Sequence, residues 1–203
     1  MKKAMIAASL VLGMTASAGT HASGTAGSDD LKSKEDTLVK SYLEESQNAL
    51  LSLSELARSV GLTDLAMSDR TAYNYSFSLG TGVEALEKAD KAASKSSAAT
   101  IEKLKKDPQM GAMSTKHFTI GLNALADDIV SCYAMKASTS EFRKKLISES
   151  GKMDSGRYVA KTLPGKLENL ASVFDSAVSY ANRHDIKLSS KAEKALNLLK
   201  THS

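Results

Sequence analysis

One cysteine, no tryptophan and two prolines among 203 residues, with aromatics at 5%, define this chain first by what it does without. A lone Cys132 excludes an intramolecular disulfide framework, so any stable fold must rest on its core. The shortage of aromatic and β-branched residues argues against strands, while abundant Ala, Leu, Lys and Glu favour helices. Pro108 and Pro164 leave long uninterrupted windows on either side. Beyond residue 22 there is no run of about 18 apolar residues, so that part of the chain should not span a membrane. The motifs of common catalytic sites are missing too: no G-x-S-x-G, S-x-x-K, H-E-x-x-H, G-x-x-x-x-G-K-[ST] or C-x-x-C-H occurs.

What is present begins at the first residue. Met1-Lys2-Lys3, the apolar run Ala4 to Ala18 and the small residues up to Ala22 have the three regions of a secretory signal peptide. Cleavage is expected after Ala22, with Ala16-Ser17-Ala18 as the competing exit. No Cys stands near either point to suggest lipoprotein anchoring. Removing 22 of 203 residues leaves 181, enough for one domain with an adequate core. Losing Lys2 and Lys3 lowers Lys+Arg from 27 to 25 against 23 Asp+Glu, a net charge of +2. That balance gives no footprint for nucleic acid. The expected division is a signal peptide at 1–22, a flexible tail at 23–32 and a single helical domain at 33–203. The expected location is outside the cytoplasm, periplasmic or secreted.

Helical periodicity then organises the chain. Val39, Leu43, Ser46, Leu50, Leu53, Ala57 and Val60 recur at alternating 4 and 3 spacing. They predict a helix of roughly 40 Å over 33–60, opened by Ser33-Lys34-Glu35-Asp36 and stopped by Gly61 at C′. Ala72, Tyr75, Leu79, Val83, Leu86, Ala93, Ile101 and Leu104 predict a second, with a kink or restart where Gly80 and Gly82 each cost about 1 kcal/mol. Thr81-Gly82-Val83-Glu84 reads there as a capping box. Tyr73, Tyr75, Phe77 and Leu79 also alternate as a strand would, but a solitary strand has no partner. A third helix capped by Ser114 carries Phe118, Leu122, Leu125, Ile129 and Cys132. A shorter one starts at Ser140 and closes near Gly151. One or two turns over 154–162 precede Leu163-Pro164-Gly165, with Pro164 at N1 of a helix reaching His184. Ser190-Lys191-Ala192-Glu193 caps the last. The fold class expected is all-α: an antiparallel helical bundle of about four long helices plus short extra helices.

Few residues suggest chemistry. Cys132 lies on an apolar seam and reads as a small buried hydrophobe. His184 sits in a last helical turn beside Asp185, where a cation is favoured. Met110, Met113 and His117 gather two thioethers and an imidazole within about two turns, a soft donor set suited to copper, or to haem if a partner helix contributed. Asp127-Asp128 point about 100° apart on a helix and so form no dyad; both read as a solvated flank. Tyr73, Tyr75 and Phe77 place three of the ten aromatics in five residues, a candidate interaction patch. The basic runs Lys103/Lys105/Lys106 and Arg143/Lys144/Lys145 read as solvated faces, able at most to contact envelope polymers or lipid head groups. The function expected is therefore binding of a protein partner, without enzymatic activity or cofactor, as a partner-neutralising, chaperone-like or secretion or surface-apparatus accessory factor. The alternative is a periplasmic metal- or haem-binding bundle.

Overall fold

The computed structural model describes residues 26–146 and 153–202; the side chains of residues 26–28 and of Phe77 lie outside the described set. The signal peptide, the start of the expected tail and the Gly151 stop therefore fall outside it. Within it the chain is all-α: α1 (Ala26–Ser59), α2 (Thr63–Ser78), α3 (Val83–Lys105), α4 (Ala112–Leu146), α5 (Asp154–Arg183) and α6 (Ser190–His202).

Contacts far apart in sequence fix the direction of each helix. Along α1 and α4, Asp30 pairs with Lys145, Ser52 with Asp128 and Glu55 with His117, so the two run antiparallel. Along α1 and α2, Gln47 meets Ser76 and Ser54 meets Ala66, again antiparallel. Glu35–Gly156, Tyr42–Thr162 and Ser46–Lys166 ascend together, so α5 is parallel to α1. Asp90–Tyr158, Ser97–Asn169 and Pro108–Tyr180 make α3 parallel to α5. Asn123–Ser189 and Tyr133–His202 make α6 parallel to α4. Direction alternates from each helix to the next, as short connections require. α1 is the central element, touching α2, α3, α4 and α5, and Leu50, Leu53, Leu56 and Ala57 are fully buried along it.

Local chemistry sets the boundaries. Gly61 ends α1 at φ +79°, and its N–H reaches the Arg58 carbonyl (3.1 Å) while that of Leu62 reaches Ala57 (2.8 Å). This is a Schellman stop, placed where the sequence put it. Gly80 at φ +70° likewise separates α2 from α3, so the helix restarts rather than kinks.

Several boundaries differ from expectation. Residues 26–32 are the first turns of α1 and not a flexible tail, because Leu31 is 2% exposed and extends the apolar seam. Ser33 consequently lies within α1 and caps nothing. The box at Thr81–Glu84 does not form: Gly82 occupies the N-cap with no side-chain bond. α4 continues unbroken from Ala112 through Ser140 to Leu146, so neither Ser114 nor Ser140 opens a helix; burial of Thr139 and Phe142 carries it past the Ser-rich stretch. α5 continues through Pro164, which sits inside it. The ring removes the N–H that would bond the Ala160 carbonyl, but buried Val159, Leu163, Leu167 and Leu170 hold both sides on one core. α6 is capped by Ser189, whose hydroxyl accepts from Ala192 N–H at 3.3 Å, one residue ahead of the expected Ser190.

Candidate functional site

Three places concentrate polar chemistry. The first is where α1, α2 and α4 meet at Glu55. Its Oε1 accepts from Arg70 Nη2 at 2.5 Å and its Oε2 lies 2.6 Å from His117 Nδ1. Burial works to raise the Glu55 pKa, but the hydrogen bonds to His117 and Arg70 outweigh it and hold the carboxyl below its usual range. Met67, Met113 and Ile120 are 60%, 66% and 46% exposed. Met113, His117 and Ile120 follow i, i+4, i+7 spacing and share one stripe of α4, while Met67 lies one turn before Arg70 on α2. The ion cluster is therefore flanked by solvent-facing apolar side chains on two helices.

This geometry separates the proposed soft-donor trio. Met110 packs against the core, Met113 faces solvent, and the His117 ring turns to Glu55. Among the described residues no group of three or more His, Cys, Asp or Glu is placed to hold a metal ion. The aromatic trio is also divided. Positions two apart on a helix point about 200° from one another, so Tyr73 packs partly buried on the core while Tyr75 is 48% exposed. Lys88 Nζ lies 3.3 Å from Tyr75 Oη and 4.7 Å from the ring centroid. Tyr73 and Tyr75 thus form no common exposed patch, and the Phe77 side chain lies outside the described residues.

The second place went unread in the sequence: a partly buried knot joining α1, α3 and α5. Asp90 Oδ2 accepts from Tyr42 Oη (2.7 Å) and Tyr158 Oη (2.8 Å), and Oδ1 accepts from Ser46 Oγ (3.4 Å). Lys166 Nζ stands 3.9 Å from the same Oδ1, hydrogen-bonds Ser46 Oγ and lies 4.3 Å over the Tyr42 ring. Burial lowers the Lys166 pKa against the pull of Asp90. Burial, then the charge of Asp90, pushes both phenols upward. The two phenols keep their protons and donate hydrogen bonds to one carboxylate, so the group is a charge-compensated clamp between helices. A cleft of about 270 Å³ opens beside it, with Tyr158, Thr162 and Asn169 on its wall.

The third place is α4 itself, from its contact with α1 round to α5 and α6. Asp127 is exposed and pairs with Lys191 of α6. Asp128, expected on a solvated flank, is instead 4% exposed because its face of α4, shared with Gly121, turns onto α1. Ser52 Oγ donates to it at 2.6 Å, and burial pushes its pKa up to about 7. Nearby Glu45 is also raised by burial. Cys132 is fully buried and its thiol is pushed up to about 12, again by burial. Over it lies a groove of about 460 Å³ between α4 and α5, closed at one end by α6. His184 bonds Asp107 across the α3–α4 connection at 2.9 Å and stacks on Tyr180, making no use of Asp185.

Some of this was available in the sequence. Asp90 falls four residues after Leu86 and three before Ala93, and Lys166 three after Leu163 and four before Leu170. Each is a charge on an apolar stripe. Compared with protein-family models, curated proteins and solved structures, the chain matches none.

Proposed function

We propose that the chain is an exported helical protein, without enzymatic activity of its own, that acts by binding a protein partner. Export rests on the composition of residues 1–22. The observation supporting a binding surface is the Glu55–Arg70–His117 cluster flanked by exposed Met67, Met113 and Ile120. Met and Arg are enriched in interface cores, and an apolar patch around a pre-paired ion cluster is drained of water at small cost. Methionine side chains also adapt to an incoming surface.

The test uses residues 23–203 as bait in an extract of the native host, with and without crosslinking. A partner retained by the wild-type chain and lost with Met113→Asp or Ile120→Asp, at unchanged helicity, supports the reading. Equal capture by these variants removes the patch, and recovery of the chain alone after crosslinking removes the function. Amino-terminal sequencing of the exported product is expected to begin at Ser23.

A further inference from the structure

Beside the α1 contact on α4, we infer that the groove between α4 and α5 is a binding site for a free single-chain anionic amphiphile, a long-chain fatty acid. This goes beyond the protein-binding reading and uses a different surface.

The dimensions select the occupant. The lining residues extend from Cys132 to Arg143 on α4 and from Ala160 to Ala171 on α5. Each span is twelve residues, about 17 Å from the first Cα to the last. A volume of about 460 Å³ over that length describes a long, narrow slot, a shape that suits one extended chain better than a helix ~10–12 Å across. The groove holds one extended chain, and a helix would ride above it. An extended peptide is excluded on other grounds. Both walls are helices whose backbone groups are paired within the helix, the Ala160 carbonyl below Pro164 excepted, so a peptide laid between them would bury most of its own N–H and C=O groups without partners. An alkyl chain brings no such groups.

The chemistry of the lining agrees. Leu163, Leu167, Ala171 and Leu199 make an aliphatic floor. Lys136 and Arg143 stand seven residues apart on one stripe of α4, and neither forms an ion pair with a described residue. His202 adds a third basic group at the α6 end. The acidic side chain on this rim, Glu168, lies across on α5. A site with an apolar slot and surplus cations on one edge matches a carboxylate on a long hydrocarbon.

Isothermal titration with hexadecanoate, below its aggregation concentration, tests this on the mature chain. Saturable uptake of one molecule per chain is expected, with butanoate binding at least 100-fold more weakly. The double variant Lys136→Glu/Arg143→Glu, both exposed positions, should weaken hexadecanoate at least tenfold. Ala171→Trp, which fills the slot, should abolish uptake while leaving helicity unchanged. The proposal is overturned by absence of saturable uptake, by many molecules per chain, or by equal affinity for hexadecyltrimethylammonium. It is overturned as well if charge reversal has no effect. Co-sedimentation with phosphatidylglycerol vesicles without one-to-one uptake of hexadecanoate would instead assign the cationic rim to a membrane surface.

Discussion

Ser52 and Asp128 meet across the α1–α4 interface at 2.6 Å, both sealed from solvent, with one hydroxyl as the carboxyl's hydrogen-bond donor. A single neutral donor does not replace the water an ionised carboxylate gives up, so the pKa of Asp128 rises to about 7. Asp69 repeats the arrangement between α2 and α3, where Ser96 donates at 2.5 Å and burial brings the carboxyl to about 6. For an acid raised on folding, the native state holds more protons than the unfolded state between the two pKa values, and stability falls as pH rises through that window. The window here runs from about pH 4, the ordinary carboxyl value, to about 6 for Asp69 and about 7 for Asp128. Thermal unfolding should therefore show a higher midpoint at pH 5 than at pH 8. At about 1.4 kcal/mol per pH unit of displacement, ionising Asp128 costs the fold on the order of 4 kcal/mol. Asp128→Asn should flatten most of the profile, and a wild-type midpoint unchanged between pH 5 and 8 would contradict it.

Gly121 gives a steric prediction at the same interface. A Cβ there would stand 2.9 Å from both the Leu56 nitrogen and the Ser52 carbonyl oxygen, atoms of the α1 backbone that cannot step aside. Gly121→Ala should destabilise by about 1–3 kcal/mol through overpacking, despite the gain in helix propensity. Gly165, inside α5 and facing open space, is the matched control. Gly165→Ala should stabilise by about 0.5–1 kcal/mol. Denaturant unfolding of the two variants is expected to move in opposite directions.

These two glycines also mark how far the sequence could be read. The α1 seam, the stop at Gly61 and the break at Gly80 were legible because spacing along one helix and a left-handed residue are local properties. Pro164 and Ser140 were misread as punctuation. Each is a local signal overridden by burial on both sides of it, by Leu163 with Leu167 and by Thr139 with Phe142. The site residues were less legible still. Met113 and His117 were noticed for a donor pattern, but what engages His117 is Glu55, 62 positions away. Lys166 and Asp90 each interrupt an apolar stripe, but spacing along one helix does not say what such a charge meets; only the pairing of α3 with α5 makes them a unit.

That unit carries the next prediction. Lys166 and Asp90 compensate each other between the helices, and removing one partner leaves the other's charge short of its nearest counter-charge. Asp90→Asn should destabilise by about 3 kcal/mol, since it strands the ammonium and weakens two tyrosine bonds together. Lys166→Met keeps the aliphatic stem and should cost less. The double variant should be more stable than Asp90→Asn alone. Equilibrium unfolding of the three variants reads this ordering directly. A double variant whose loss equals the sum of the single losses would mean that the two charges act independently.

Cys132 tests whether α4 and α5 stay closed beneath the groove. Its thiol is fully buried and displaced to about 12, so at pH 8 roughly one molecule in 10,000 holds the reactive thiolate, against about a quarter for an ordinary cysteine. Ionisation alone thus predicts labelling by a disulfide reagent on the order of 1,000-fold slower in the native protein than in denaturant, and burial slows it further. Reaction should then report opening of the α4–α5 contact and not encounter at the surface. Its rate should fall at pH 5 relative to pH 8 by more than the thiol's own titration explains, because protonated Asp128, one turn before Cys132, holds α4 more firmly in the bundle. Labelling of the native chain at the rate of a free thiol would place Cys132 in solvent and remove the floor of the groove with it.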